Sequence, residues 1–308
     1  MPCYSPLVGY RSRDLNPSTG KRSLVFDKRK AFSHIEQKIP CGQCIGCRLE
    51  RSRQWAMRCM HEARMHEKNC FLTLTYRDSS LPVHGSLVKK DFQDFMKRFR
   101  FHHGEGIRYF HCGEYGEHFS RPHYHACIFG FDFADRKFKS SVNGFPYFTS
   151  EALADLWPFG FHTIGDVTFE SAAYVARYIT KKVTGALASD FYQVVLDDGE
   201  IVPIQPEYTT MSRRPGIGKS WLDGNLKDVY PHDFVVLKRG DRYIKCKPPK
   251  YYDGQFEILS PVEMEMIKRR RKDFARDNAA DNSTGRLLVK ERVQKEKLKF
   301  LKRGYENG

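Results

Sequence analysis

IRYFHCGEYGEHFSRPHYHACIFGF, residues 107–131, holds two segments rich in strand-favouring residues, joined by a short polar linker. The first, IRYFHCGEYG (107–116), reads as a strand that ends at a glycine. The second, RPHYHACIFGF (121–131), reads as a strand whose Pro122 suits a first position. With so few residues between them, antiparallel pairing is expected. His123 and His125 stand two apart, so on a strand their imidazoles share one face and Tyr124 points to the other. Glu114 lies nine residues before His123, and strand pairing brings its carboxylate to that same face. Neutral imidazole is among the commonest metal ligands. Two imidazoles and one carboxylate, with positions left open for a phosphate oxygen and water, suit Mg²⁺ or Mn²⁺. A lone His-x-His also occurs in ordinary cores and surfaces, so the reading needs support from elsewhere in the chain.

Outward from this pair, CFLTLTY (70–76) alternates as a strand, and LVKKDFQDFMKRFRFHH (87–103) sets Phe92, Phe95, Met96 and Phe99 at helical spacing. SEALADLW (150–157) reads as a short helix capped by Ser150, FHTIGDVT (161–168) as a strand, and SAAYVARYITKKVTG (171–185) as a helix stopping at Gly185. A further helix is expected over 48–67, after the cysteine cluster. The order helix, β, α, β, β, α, β, α predicts an α+β fold: a central antiparallel sheet with flanking helices and a split-βαβ, RRM-like core. Three segments are expected: 1–68 with the cysteines and a basic helix, 69–190 as the core, and 191–308 as a basic C-terminal region. Residues 1–40 read as irregular, 235–258 as short strands, and the charged tail from 263 as helical.

The helix over 171–185 carries Tyr174, Tyr178 and Lys181 at spacings of four and three, which share one helical face. A phenol with a pKa of about 10 is a weak nucleophile at neutral pH. It needs a nearby cation or a metal-polarised phosphate, and Lys181 and Lys182 can supply positive charge. Half-buried amphipathic packing also explains two such tyrosines. Together with the upstream histidines and a basic chain, catalysis is the preferred reading.

The chain has 308 residues with 52 Lys and Arg against 37 Asp and Glu, a net charge of +15 that points to a polyanionic partner, nucleic acid first. It contains no apolar run of membrane-spanning length and no signal-peptide pattern, so no membrane partner and a cytoplasmic location are expected. Nine cysteines without a secretory signal argue against a disulfide framework. Cys41, Cys44 and Cys47 follow C-x₂-C-x₂-C, short enough to share one ion. Structural Zn²⁺ would need a fourth ligand, for which Cys3, His34 and Cys59 are candidates; an iron–sulfur cluster or packed free thiols are alternatives. Such an ion would fix the basic helix, whose Arg48, Arg51, Arg53 and Arg58 can contact phosphates.

FLTLTY (71–76), RPHYHACIFG (121–130) and YVARYITKK (174–182) resemble, in order and spacing, the three motifs of HUH-superfamily replication initiators. PCGQCIGCRLERSRQWAMRCMHEA (40–63), FHCGEYGE (110–117) and SRRPGIGKSW (212–221) resemble the gokushovirus branch of the Microviridae. The resemblance covers roughly residues 1–225. It implies a divalent metal on two adjacent strands, with Glu114 at the acidic third ligand. It also implies attack by a tyrosine on single-stranded viral origin DNA, leaving a 3′-OH primer and a 5′-phosphotyrosine, with the second tyrosine able to cleave and rejoin after a round of rolling-circle synthesis. PGIGKSW (215–221) looks like a phosphate loop, but the pattern needs a glycine at Arg213 and a preceding apolar strand, so no ATP site is expected. Strand separation would then fall to a host helicase and the host replication machinery, in the cytoplasm of the bacterial host. The competing readings are a non-catalytic, zinc-stabilised DNA-binding protein and an HUH transposase or relaxase.

Overall fold

The computed structural model describes the chain except residues 1–2, 19, 117–120, 143, 182, 184–187, 240–241 and 300–308, and excepting the side chains of 178–181, 238, 239 and 242. Its described residues divide into two compact units, residues 3–50 with 272–299 and residues 51–271.

In the first unit, β1 (Leu7–Leu15) pairs antiparallel with β2 (Arg22–Val25) and β3 (Gln37–Ile39). The irregular structure expected over 1–40 is thus replaced by a small sheet. The helix α1 (Ile45–Ala63) begins three residues earlier than expected, just before Cys47.

The second unit is built on a seven-stranded sheet. Its elements are β4 (Asn69–Tyr76), α2 (Lys89–His103), β5 (Arg108–Tyr115), β6 (Pro122–Phe129), β7 (Lys137–Val142), β8 (Phe145–Thr149), α3 (Glu151–Leu156), β9 (Gly160–Gly165) and α4 (Phe169–Lys181). After these come α5 (Ala188–Phe191), β10 (Gln193–Val195), β11 (Ile201–Pro203), β12 (Tyr208–Met211) and α6 (Lys219–Val229). β13 (Val235–Arg239), β14 (Arg242–Cys246), α7 (Lys250–Leu259), α8 (Pro261–Asp277) and α9 (Thr284–Lys299) complete the order, α8 running from this unit into the first and α9 lying in the first.

The strand order is β12-β5-β6-β4-β9-β8-β7, and its paired neighbours run antiparallel. Because β6 is antiparallel to both β4 and β5, those two are parallel with β6 between them, which is a split βαβ unit closed by α2. The expected α+β fold with a central antiparallel sheet is the observed one.

Both faces of the central strands are covered, which explains their long apolar runs. Alternation assigns the faces. Leu72, Leu74, Tyr76, Tyr124, Ala126 and Ile128 form one core with Phe92, Phe95 and Phe99 of α2 and Leu153 and Leu156 of α3. Phe71, Phe110, Cys112, Cys127 and Phe129 meet Ala56 and Cys59 of α1 and Ala172, Val175 and Ala176 of α4 on the other. Ser150 caps α3 as expected, its Oγ accepting from the Leu153 amide at 3.0 Å. Tyr124 is fully buried opposite the histidines, where its hydroxyl donates to the Val88 carbonyl at 2.9 Å at the entry to α2.

One expectation for the C-terminal part changes. YYDGQFEIL is helical as α7, with Tyr252 and Phe256 buried one turn apart, where a strand was expected. PGIGKSW serves as a structural clamp. Gly218 has φ 76°, a left-handed conformation that favours glycine, and its amide donates to the buried Glu62 carboxylate at 2.6 Å. A Cβ there would meet the Tyr252 hydroxyl and the Arg58 backbone.

Candidate active site

α4 opens with a reciprocal cap. The Thr168 amide donates to Ser171 Oγ at 2.8 Å, and the Ser171 amide donates to Thr168 Oγ1 at 3.1 Å. Small residues then seat the helix closely: Ala172, Val175 and Ala176 are buried, and Ser52 Oγ of α1 donates to the Ala173 carbonyl at 2.8 Å. This seating fixes Tyr174 over β6.

Register does the rest. β5 and β6 pair Glu114 with His123, and β4 and β6 pair Thr73 with His125 and Thr75 with His123. The two imidazoles lie side by side, centroids 6.3 Å apart and tilted by 19°. His125 Nε2 donates to Glu114 Oε1 at 2.9 Å. The Tyr174 ring stands edge-to-face on His125, with centroids 5.0 Å apart at 89°. The Arg177 guanidinium lies 5.3 Å from the Tyr174 ring centroid, so a positive charge sits beside that phenol. Tyr174, His125 and Glu114 are each 3% exposed. Of the expected residues, the structure therefore brings together His123, His125, Glu114 and Tyr174. Tyr178 and Lys181 lie in α4 four and seven residues on, with side chains outside the described residues, as is the whole of Lys182.

Two observations bear on whether His123, His125 and Glu114 could hold a divalent cation. Glu114 Oε2 is buried and has no hydrogen-bond partner among the described residues, a costly state for a carboxylate oxygen that a cation would relieve. Gly116 leaves open the space beside His123 Nε2, where a Cβ would lie 2.9 Å from that nitrogen. Burial, followed by the charges of His125 and Arg121, pushes the His123 imidazole down to about 3, so it is neutral and ligand-ready at neutral pH.

Sequence reasoning passed over Thr73 and Thr75. Their hydroxyls hydrogen-bond His125 Nδ1 at 3.0 Å and His123 Nδ1 at 2.9 Å. A hydroxyl both donates and accepts, so it serves either imidazole tautomer and lets Nε2 give up its proton to bind an ion. The signal was present: the threonines of FLTLTY repeat with the same period of two as the histidines. Thr73→Val/Thr75→Val keeps shape and removes both hydroxyls. It should weaken Mn²⁺ binding about 10- to 100-fold, as read by metal titration, with DNA affinity in the absence of metal unchanged.

The basic residues of α1 divide. Arg51 is exposed. Arg53 donates to the Lys247 carbonyl at 3.1 Å. Arg58 lies between the Trp55 and Tyr251 rings, 4.1 and 4.0 Å from their centroids, and donates to the Ile217 carbonyl at 2.9 Å. Arg58 thus acts within the fold, and Arg51 is the better placed for a phosphate. Arg48 is partly buried, its Nε without a hydrogen-bond partner among the described residues. Among the candidates for a fourth cysteine-site ligand, Cys3 joins Cys41, Cys44 and Cys47, while His34 is exposed and Cys59 is buried in the core between α1 and the sheet.

The family described as replication-associated protein ORF2/G2P matches residues 69–183, the span that carries the histidine pair and the tyrosine helix. Replication-associated protein VP4 of Bdellovibrio phage phiMH2K is 33% identical over 307 residues, covering 90% of this chain and 93% of the relative. Replication-associated protein ORF2 of Spiroplasma virus 4 is 33% identical over 264 residues, covering 82% and 78%. The chain belongs to the gokushovirus-type replication-associated proteins of Microviridae phages. Replication-associated protein ORF4 of Chlamydia phage 1 is 34% identical to this replication-associated protein over 158 residues, covering 47% of the chain and 38% of the relative. No solved structure matches it. No helix among its described residues is long and apolar enough to cross a membrane.

Proposed function

We propose that this replication-associated protein is the initiator endonuclease of rolling-circle replication, nicking and rejoining single-stranded origin DNA through a tyrosine. The observation that carries the reading is the meeting of Tyr174 with the His125–Glu114 pair, the rings 5.0 Å apart. The net charge of +15 supplies general attraction to the DNA backbone.

His123, His125 and Glu114 would hold Mg²⁺ or Mn²⁺. When bound, the cation supplies Lewis-acid polarisation of the scissile phosphate. The chain's own groups do the remaining work. The phenol oxygen of Tyr174 or Tyr178 bonds to phosphorus, the P–O3′ bond breaks, and the phenol proton ends on the departing 3′ oxygen. Arg177 favours the phenolate that forms on the way. The phosphodiester is exchanged and not hydrolysed, so the 5′-phosphotyrosine keeps the bond's energy and a 3′-OH can later reverse the step. A second tyrosine at i+4 allows a second cleavage while the first ester persists. The site of action is the cytoplasm of the bacterial host, with strand separation left to a host helicase and elongation to host replication machinery.

The test is a nicking reaction of the full chain with single-stranded origin DNA and Mn²⁺, digested and read by mass spectrometry. A nucleotide adduct on Tyr174 or Tyr178 is expected. Intact DNA, or an adduct on another residue, overturns the reading. A non-catalytic DNA-binding protein would give salt-dependent binding and no adduct.

A further inference from the structure

The first unit has a thin core. Leu7, Val8, Leu15, Phe26, Phe32 and Ile35 are exposed, and few apolar side chains in the unit, among them Tyr10, Ala31 and Leu287, are buried. Small modules with so little apolar burial commonly rely on a metal or a covalent staple. The same unit contains a cluster of four cysteines. Cys3 precedes β1, Cys41 and Cys44 lie in the loop after β3, and Cys47 lies in the first turn of α1.

Their four sulfurs all lie within 4.8 Å of one another, with Cys3 Sγ 3.7 Å from Cys41 Sγ and 3.9 Å from Cys44 Sγ. None of the four is joined in a disulfide. A tetrahedron with Zn–S bonds of about 2.3 Å has edges of about 3.8 Å, which matches the separations of Cys3 Sγ from Cys41 Sγ and Cys44 Sγ. A four-iron cluster interposes its own cage between the thiolates and would hold them farther apart. Backbone amides also point at the sulfurs. Cys44 N donates to Cys41 Sγ at 3.2 Å, Cys41 N to Cys3 Sγ at 3.3 Å, and Tyr4 N to Cys44 Sγ at 3.3 Å. Such donors favour thiolate over thiol.

We propose that Cys3, Cys41, Cys44 and Cys47 bind one structural Zn²⁺, which ties the N-terminal strand, the 41–44 loop and the start of α1 together. The closed set of four protein ligands leaves no open position, so the ion has a structural role and takes no part in cleavage.

The full chain, purified under reducing conditions, should contain about one zinc by elemental analysis. Exchange with Co²⁺ should give the intense thiolate-to-metal charge-transfer absorption of a four-sulfur tetrahedral site. Cys3→Ser should lose the bound zinc, whereas Cys246→Ser should retain it. Stripping the wild-type zinc with a chelator should open the segment before residue 45 to protease, while Mn²⁺ binding at the histidine site persists. Zinc-free protein with reduced thiols, an iron–sulfur absorption spectrum, or Co²⁺ bands of a site with fewer sulfurs would each overturn the proposal. The wild-type metal content and Co²⁺ spectrum decide the matter even if the Cys3→Ser chain fails to fold.

Discussion

Tyr174→Phe/Tyr178→Phe should form the covalent protein–DNA adduct at least about a thousandfold more slowly than the natural chain, a loss of about 4 kcal/mol of transition-state stabilisation. The substitution removes only the nucleophilic oxygens. Phenylalanine at 174 keeps the edge-to-face contact with the His125 ring and the packing against the sheet. DNA affinity, Mn²⁺ affinity and the unfolding midpoint should therefore stay close to those of the natural chain, which separates a lost nucleophile from a damaged fold. Either single substitution should still nick, because the other tyrosine is four residues along the same helix, but should lose the paired cleavage that releases a closed circle. Denaturing gel electrophoresis with labelled DNA reads both effects. An undiminished adduct in the double variant would move the nucleophile to another residue.

This prediction could be framed from the sequence because the chemistry sits on regular elements. The period of two in HYH and FLTLTY and the i, i+4 tyrosines fix which side chains share a face. Periodicity does not give the strand register that sets Thr73 opposite His125 and Glu114 opposite His123. It also missed Arg177, although the i+3 spacing from Tyr174 was there to be seen.

The parts of the fold that escaped reading share a physical cause. β7 is largely exposed, so KFKSSV shows no apolar alternation, and its partner β8 is only half-buried. The same holds for most of β1, whose Leu7, Val8 and Leu15 face solvent. β12 is only four residues long and is defined by its pairing with β5, a contact about a hundred positions distant. α7 was mistaken for a strand because its tyrosines and isoleucine carry β-propensity, yet Tyr252 and Phe256 are buried at helical spacing, and that tertiary contact decides. The four-cysteine cluster was legible in part: the sequence offered Cys3, His34 and Cys59 beside the C-x₂-C-x₂-C run, and the fold selects Cys3, 38 residues before Cys41.

Glu62→Ala should destabilise the second unit by about 3–5 kcal/mol, the range for removing one partner of a buried ion pair. Glu62 is 2% exposed and ties three segments: it pairs with Arg108 of β5, accepts from the Gly218 amide at 2.6 Å, and meets His66 at 3.5 Å. Arg108 in turn donates to the Pro215 carbonyl at 2.6 Å, so the segment that resembles a phosphate loop has its leading amide already engaged by a carboxylate. Alanine would strand the Arg108 guanidinium and the Gly218 N–H together, whereas Glu62→Gln keeps an acceptor and should lose less, about 1–3 kcal/mol. Burial opposes ionisation of Glu62, but His66, Gly218 and Arg108 outweigh it and hold the carboxyl below its ordinary value of 4.5. A depressed carboxyl contributes stability above that value and loses it as pH falls through the folded-state value. The gap between the natural chain and Glu62→Ala, measured as a shift in urea midpoint at unchanged slope, should therefore be full at pH 7 and narrow in acid below about 4.5. A gap under about 0.5 kcal/mol at pH 7, the size of an ordinary surface change, would mean that the carboxylate is dispensable and that apolar packing alone holds the glycine segment against α1.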